Sequence, residues 1–178
     1  MSSSVPAAVV LAGAHGGEGK SAFLKGLSAV YGSEHLFYAP QKTSFPFFGL
    51  EHAKVALLDD CRFEPSVIPF ATQCLWFDGS PLPVARPQNQ AHAIGHSLCR
   101  GSAPIFITTK LQELNRLRGL AAPAGATGQP ADGDASMVLR RLQVYTFNTR
   151  VPAPAKELPT CARCFAQCVS AQARDTSA

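Results

Sequence analysis

What this 178-residue chain has little of narrows its class before any motif is read. Charged residues make up 16% of it and aromatics 8%, with one Trp and two Met. Sixteen Lys and Arg stand against twelve Asp and Glu, too small an excess for the basic arm or stripe of a dedicated nucleic-acid binder. No apolar stretch approaches the roughly 20 residues needed to cross a bilayer. No basic residue precedes the apolar run near the N-terminus, so neither a membrane span nor a secretory leader is expected. The six cysteines lack the paired framework of small secreted domains. A soluble, intracellular protein is the expectation, its length suiting one compact domain rather than two. No internal repeat is visible.

Within those limits the hydrophobic pattern alternates strand with helix. Residues 5–14 form a continuous apolar run of the kind buried on both faces of a parallel sheet. Residues 21–30 carry helical spacing, with Phe23, Leu24 and Leu27 on one side and Gly32 to end it. Residues 35–39 read as a short strand, 54–60 as a buried strand stopping on two carboxylates, and 64–77 as a weak helix broken by Pro65 and Pro69. A turn at 78–80 leads into an alternating, proline-bearing stretch at 81–87, expected to be a protruding hairpin or loop. Residues 103–109 (APIFITT) are a third clear strand, 111–120 a helix and 141–148 a last strand. The small, Gly- and Pro-rich residues 121–136 read as a flexible insertion. The pattern predicts an α/β domain over 1–150 with a parallel sheet flanked by helices, and a poorly packed Pro- and Cys-containing tail over 151–178.

The most specific signal is Ala14, His15, Gly16, Gly17, Glu18, Gly19, Lys20, Ser21, which fits the phosphate-loop pattern with Ala in place of its first Gly. The spacing has a chemical reason. Glycines let backbone N–H groups turn inward around a β-phosphate, and the helix beginning near Lys20 aims its positive end at the anion. Lys20 would contact the β- and γ-phosphates, and the Ser21 hydroxyl would ligate magnesium. The competing reading is a glycine-rich turn that only joins strand to helix; a preceding apolar strand and a following helix are the context a phosphate loop needs. ATP and Mg2+ are the expected ligands. Asp59 and Asp60, side by side at the end of a buried run, repel each other unless a cation or protons intervene. We assign Asp59 to magnesium and Asp60 to the role of general base, against the plainer reading of a solvated strand end.

With the loop, the acidic pair and APIFITT in that order, residues 5–150 resemble the superfamily 3 helicase domain of viral Rep-like replication initiators, within the AAA+ class of P-loop NTPases. The resemblance implies an ATP hydrolase that moves along or unwinds single-stranded DNA, is able to work as a homo-oligomeric ring, and is nuclear if the chain is a eukaryotic or viral replication protein. In the family a strand ending in Asn senses the γ-phosphate. Here Lys110 stands in that place, and Thr109 is left to position the water. The stretch FDGSPLPVARPQNQ resembles the family's DNA-contacting hairpin, with Arg86 as its one basic residue. Arg140 and Arg141 match the arginine that the family supplies to a neighbouring subunit's nucleotide, and Arg141 is the candidate; an arginine pair at a strand start is also ordinary surface.

Two other function classes remain open. A small P-loop kinase shares the loop, although residues 121–136 contain none of the arginines of a kinase lid. A degenerate nucleotide-binding module without turnover is compatible with Lys110. Cys161, Cys164 and Cys168 offer three thiolates for a metal, or one small face of a helix beside Phe165. His92 and His96 could approach phosphate or DNA, and Trp76 with Phe77 is expected to anchor the packing beneath the hairpin.

Overall fold

A computed structural model of the chain describes residues 8–39, 46–85, 96–100, 103–122, 133–151 and 161–167. Five strands form one parallel sheet: β1 (Ala8–Gly13), β2 (Leu36–Tyr38), β3 (Val55–Leu58), β6 (Ile105–Lys110) and β7 (Leu142–Phe147), in the spatial order β2-β3-β6-β1-β7. Between β3 and β6 the chain makes a separate antiparallel pair, β4 (Pro81–Ala85) with β5 (His96–Arg100). The helices are α1 (Lys20–Tyr31), α2 (Phe70–Phe77), α3 (Leu111–Ala121) and α4 (Gly133–Leu139). A further short helix runs over 162–167.

The sheet is apolar on both faces because helices cover both, and the period-two alternation of its strands sorts side chains between two cores. From β3, Val55 and Leu57 meet Leu24 and Leu27 of α1, with Phe23, Phe106 and Phe165 packed at the edge of that cluster. From the same strand Ala56 and Leu58 face the other way, joining Val10, Ile105 and Ile107 against Trp76 of α2, Leu114 and Leu117 of α3, and Ala135 and Val138 of α4. Trp76 is fully buried and Phe77 nearly so, the packing anchor expected of them. Trp76 stacks edge-on against Phe37 and Phe47.

Local signals set the element ends. Gly32 closes α1 in a backbone conformation open to glycine, with φ 78° and its N–H bonded to the Ser28 carbonyl. Pro69 limits α2 to the eight residues after it. The hairpin differs from a purely protruding arm: Leu82, Val84 and Cys99 are buried in the main core, so its base belongs to the domain. Its turn, with Arg86 and His92, lies outside the described residues. The stretch read as a linker is shorter than expected, since α3 runs to Ala121 and α4 begins at Gly133; residues 123–132 lie outside the description. α4 forms because Ala135 and Val138, three apart on one face, bury completely against the core.

Candidate functional site

All five sheet strands run parallel, so their C-terminal ends gather along one edge, where loops rather than side-chain layers meet. Because β6 lies between β1 and β3, that edge brings together the loop after β1, the turn after β3 and the end of β6. The register pairs Gly13 with Lys110, which sets Lys110 at the mouth of the loop.

The loop turns on glycine. Gly16, Gly17 and Gly19 all have positive φ, at 81°, 76° and 88°, a run that other residues adopt only with strain. Gly19 is the cap of α1, whose first turn carries no acidic residue. The positive end of a twelve-residue helix is therefore open toward the loop. Gly13 is the glycine at the strand end that the sequence reading passed over. A Cβ there would lie 1.7 Å from a Glu18 carboxylate oxygen and 2.5 Å from the Lys20 amine. Ala14, His15, Gly16 and Gly17 are exposed along the loop.

Inside the loop sits Glu18. Its side chain is fully buried and that of Lys20 only 11% exposed, with Lys20 Nζ 2.5 Å from Glu18 Oε2. Glu18 Oε1 accepts the His15 backbone N–H at 2.9 Å. The Lys20 bond holds the Glu18 carboxyl far below the usual carboxylate range, at about 2; the His15 and Gly16 amides add to this, and burial opposes it. The chain leaving β7 pins the loop from the far side. Val151 donates its N–H to the Gly17 carbonyl at 3.0 Å, and its side chain rests against Gly19.

Beside the loop, Ser21 Oγ donates to Asp59 Oδ1 at 3.0 Å across 38 residues of sequence. Thr108 Oγ1 donates to the same oxygen at 2.5 Å and accepts the Asp60 N–H at 2.8 Å. The turn after β3 is further tied to β6 by the Cys61 N–H on the Thr108 carbonyl. Thr109 points to the opposite face, nearly buried, and its hydroxyl donates to the Cys61 carbonyl at 2.6 Å. The strand hydroxyl that meets the acidic pair is thus that of Thr108, not Thr109. Asp60 is exposed in a left-handed conformation with φ 51°, a strained position of the kind found at working sites. Burial pushes the Cys61 thiol up to about 11, so it stays protonated at neutral pH.

Behind the turn opens a cavity of about 250 Å3 whose lining includes exposed Asp59 and Arg62, half-buried Glu64 and buried Leu58, Trp76 and Phe77. Arg141 lies elsewhere. It precedes β7, whose Leu142 pairs with Ala8 at the start of β1, so a six-residue strand of roughly 20 Å separates it from the loop. Its guanidinium forks onto Asp78 at 2.6 and 2.7 Å, and Nη1 donates to the Met137 carbonyl. Within one chain Arg141 does not join the loop, Ser21 and Asp59. No cluster of three or more His, Cys, Asp or Glu suited to a metal occurs among the described residues, where Cys161 and Cys164 are exposed; Cys168 lies outside them. The requirement differs for magnesium, which takes one or two carboxylates and fills its other positions with water and phosphate. Two oxygen donors 3.0 Å apart, from Ser21 and Asp59, fit that chemistry.

No protein-family model matches the chain, and no curated protein matches it by sequence. Among solved structures it is similar to the apo A form of the NrS-1 C-terminal region, with a TM-score of 0.50 and 14% identity over 86% of this chain and 31% of that one. The chain therefore spans about a third of that structure's length, and at this identity the likeness concerns the fold.

Proposed function

We propose that this chain is an ATP- and magnesium-binding P-loop ATPase of the superfamily 3 helicase type, coupling hydrolysis to single-stranded DNA. The observation that carries the reading is the Ser21 to Asp59 hydrogen bond beside the loop that holds Lys20. It joins the residue after the loop lysine to the first of two strand-end carboxylates, the two oxygen donors a nucleotide-bound magnesium would use. Ser21 and Asp59 would hold the metal, which would supply positive charge to neutralise the developing charge on the phosphates.

The chain's own groups divide the remaining work. Lys20 and the inward amides of the loop hold the phosphates, and the open end of α1 adds its partial positive charge. Thr108 fixes the Asp59 carboxylate on one side and the Asp60 backbone on the other, so the two acids keep a set spacing. Asp60, exposed at that turn, accepts the proton of the attacking water. Lys110 at the mouth of the loop offers a positive charge to the γ-phosphate. Single-stranded DNA and a ring of identical subunits follow from the family resemblance and belong to the proposal on that ground.

The cavity behind Asp59 favours a second reading, a small P-loop phosphotransferase whose acceptor enters between Arg62 and Glu64. Steady-state ATP hydrolysis with magnesium, with and without single-stranded DNA, on wild type beside Lys20→Ala tests the pair. Turnover that rises with DNA and vanishes in the variant supports the motor. Phosphate transfer to a small hydroxyl compound without DNA stimulation would move the assignment to the second reading. Binding without turnover under any condition leaves a nucleotide-binding module.

A further inference from the structure

Glu18 has no task in the chemistry above, yet it is the most enclosed charged side chain of the loop. Its two carboxylate oxygens take the Lys20 amine at 2.5 Å and the His15 amide at 2.9 Å. Gly13 leaves the space in which it lies, since any side chain there would overlap the carboxylate. These donors are the ones a phosphate-binding loop directs at a phosphate. The loop is thus already closed around an anion, and that anion belongs to the chain.

We propose that Glu18 is a resident occupant of the phosphate position, which an incoming ligand must displace, and that it sets the loop's selectivity for polyphosphates over single phosphate or sulfate ions. The inference rests on the nucleotide-site reading and deepens it. The physical argument is one of exchange. Glu18 is tethered beside its donors, so it competes as if present at the millimolar or higher effective concentration of a short intramolecular link. A free phosphate or sulfate ion carries more charge than the carboxylate but is untethered and reaches only the donors Glu18 already holds, so it gains little by replacing it. A triphosphate with magnesium brings several oxygens to Lys20, to the loop amides and to Ser21 with Asp59 at once, and these additional charge-assisted bonds drive the exchange. Freed Glu18 turns outward to solvent, as its exposed neighbours Gly17 and Gly16 permit.

The test measures equilibrium binding of a fluorescent ATP analogue with magnesium, and its competition by inorganic phosphate, on wild type, Glu18→Gln, Glu18→Asp and Lys20→Ala, each checked for folding by circular dichroism. Glu18→Gln removes the charge, whereas Glu18→Asp keeps it on a side chain one methylene shorter. Both are expected to bind the analogue about tenfold tighter, the effect of removing one charge-assisted competitor, and to become sensitive to millimolar phosphate that leaves wild type unaffected. Unchanged or weaker binding by Glu18→Gln, with Lys20→Ala still defective, overturns the occupant while leaving the nucleotide site intact. Tighter binding by the Gln variant with the Asp variant identical to wild type overturns it in favour of diffuse charge repulsion. Equal binding by Lys20→Ala and wild type, or none by any variant, overturns the site reading and the occupant together.

Discussion

At the scale of single residues, the site rests on a few bonds whose removal has opposite signatures. Lys20→Ala is expected to abolish nucleotide binding. It removes no contact of either hydrophobic core but leaves the buried Glu18 carboxylate without its partner, so it also lowers stability and binding is read on the folded fraction. Asp60→Asn should keep binding and lose turnover, and a variant that hydrolyses at the wild-type rate would refute its role as base. Thr108→Val keeps shape but leaves the Asp60 amide and the Asp59 carboxylate each short of one bond. A loss of about 1–2 kcal/mol in denaturant unfolding is expected, together with weakened magnesium dependence of ATP binding. The Glu18 pair gives a pH test of definite sign. Its carboxyl falls from 4.5 to about 2 in the folded chain, so its stabilisation is fully present above the unfolded value and lost as pH falls through the folded one. The stability gap between wild type and Glu18→Gln should be level at neutral pH and close on acidification from 4.5 toward 2; a gap that holds constant to the acid end contradicts the buried pair. That the loop after β1 and the turn after β3 would meet was legible, because each follows a continuous apolar run that a parallel sheet buries, and the Ser21 to Asp59 bond joins them. The choice between Thr108 and Thr109 was not. Adjacent strand residues face opposite sides, and which side carries the loop depends on where α1 packs.

At the scale of elements, strands and helices were legible wherever one face had to be apolar, as in β1, β3, β6 and α1. What the sequence hid were elements whose partner lies far along the chain. The helix over 162–167 was expected to be loosely packed, yet Phe165 stacks edge-on against Phe23 with ring centroids 5.1 Å apart. It also fills the notch left by Gly26, where a Cβ would come within 2.5 Å of the Phe165 ring. A partner nearly 140 positions away leaves no local trace in a run of cysteines and alanines. Gly26→Ala is therefore expected to loosen this helix, seen as faster limited proteolysis of the tail at unchanged far-ultraviolet dichroism of the rest. An unchanged cleavage rate would mean that Phe165 does not hold it there. The start of α4 escaped notice for a similar reason: Ala135 lies in the stretch read as a flexible insertion over 121–136 until α2 and α3 supply the surface that buries it together with Val138 beyond that stretch.

At the scale of the whole molecule, strand order decides what can meet. Interposing β6 between β1 and β3 joins loop, acids and Thr108 on one edge, and the same parallel arrangement sends Arg141 to the other. Within the chain Arg141 acts as a strut: its fork on Asp78 and its bond to the Met137 carbonyl tie the start of β7 to the ends of α2 and α4. The Asp78 bond also raises the Arg141 pKa further above its ordinary value. A double-mutant cycle on Arg141→Ala and Asp78→Ala should show non-additive destabilisation, with a coupling near the upper end of about 1 kcal/mol for a partly exposed pair of good geometry. ATP turnover per folded subunit should hold in either variant. The opposite outcome has its own structural meaning. If Arg141→Ala keeps its unfolding midpoint but loses turnover, and mixing it with Lys20→Ala restores hydrolysis, then each inactive chain completes the other's site. Arg141 would then serve a neighbour's nucleotide from the far edge of the sheet, and the ring implied by the family resemblance would follow from that complementation alone.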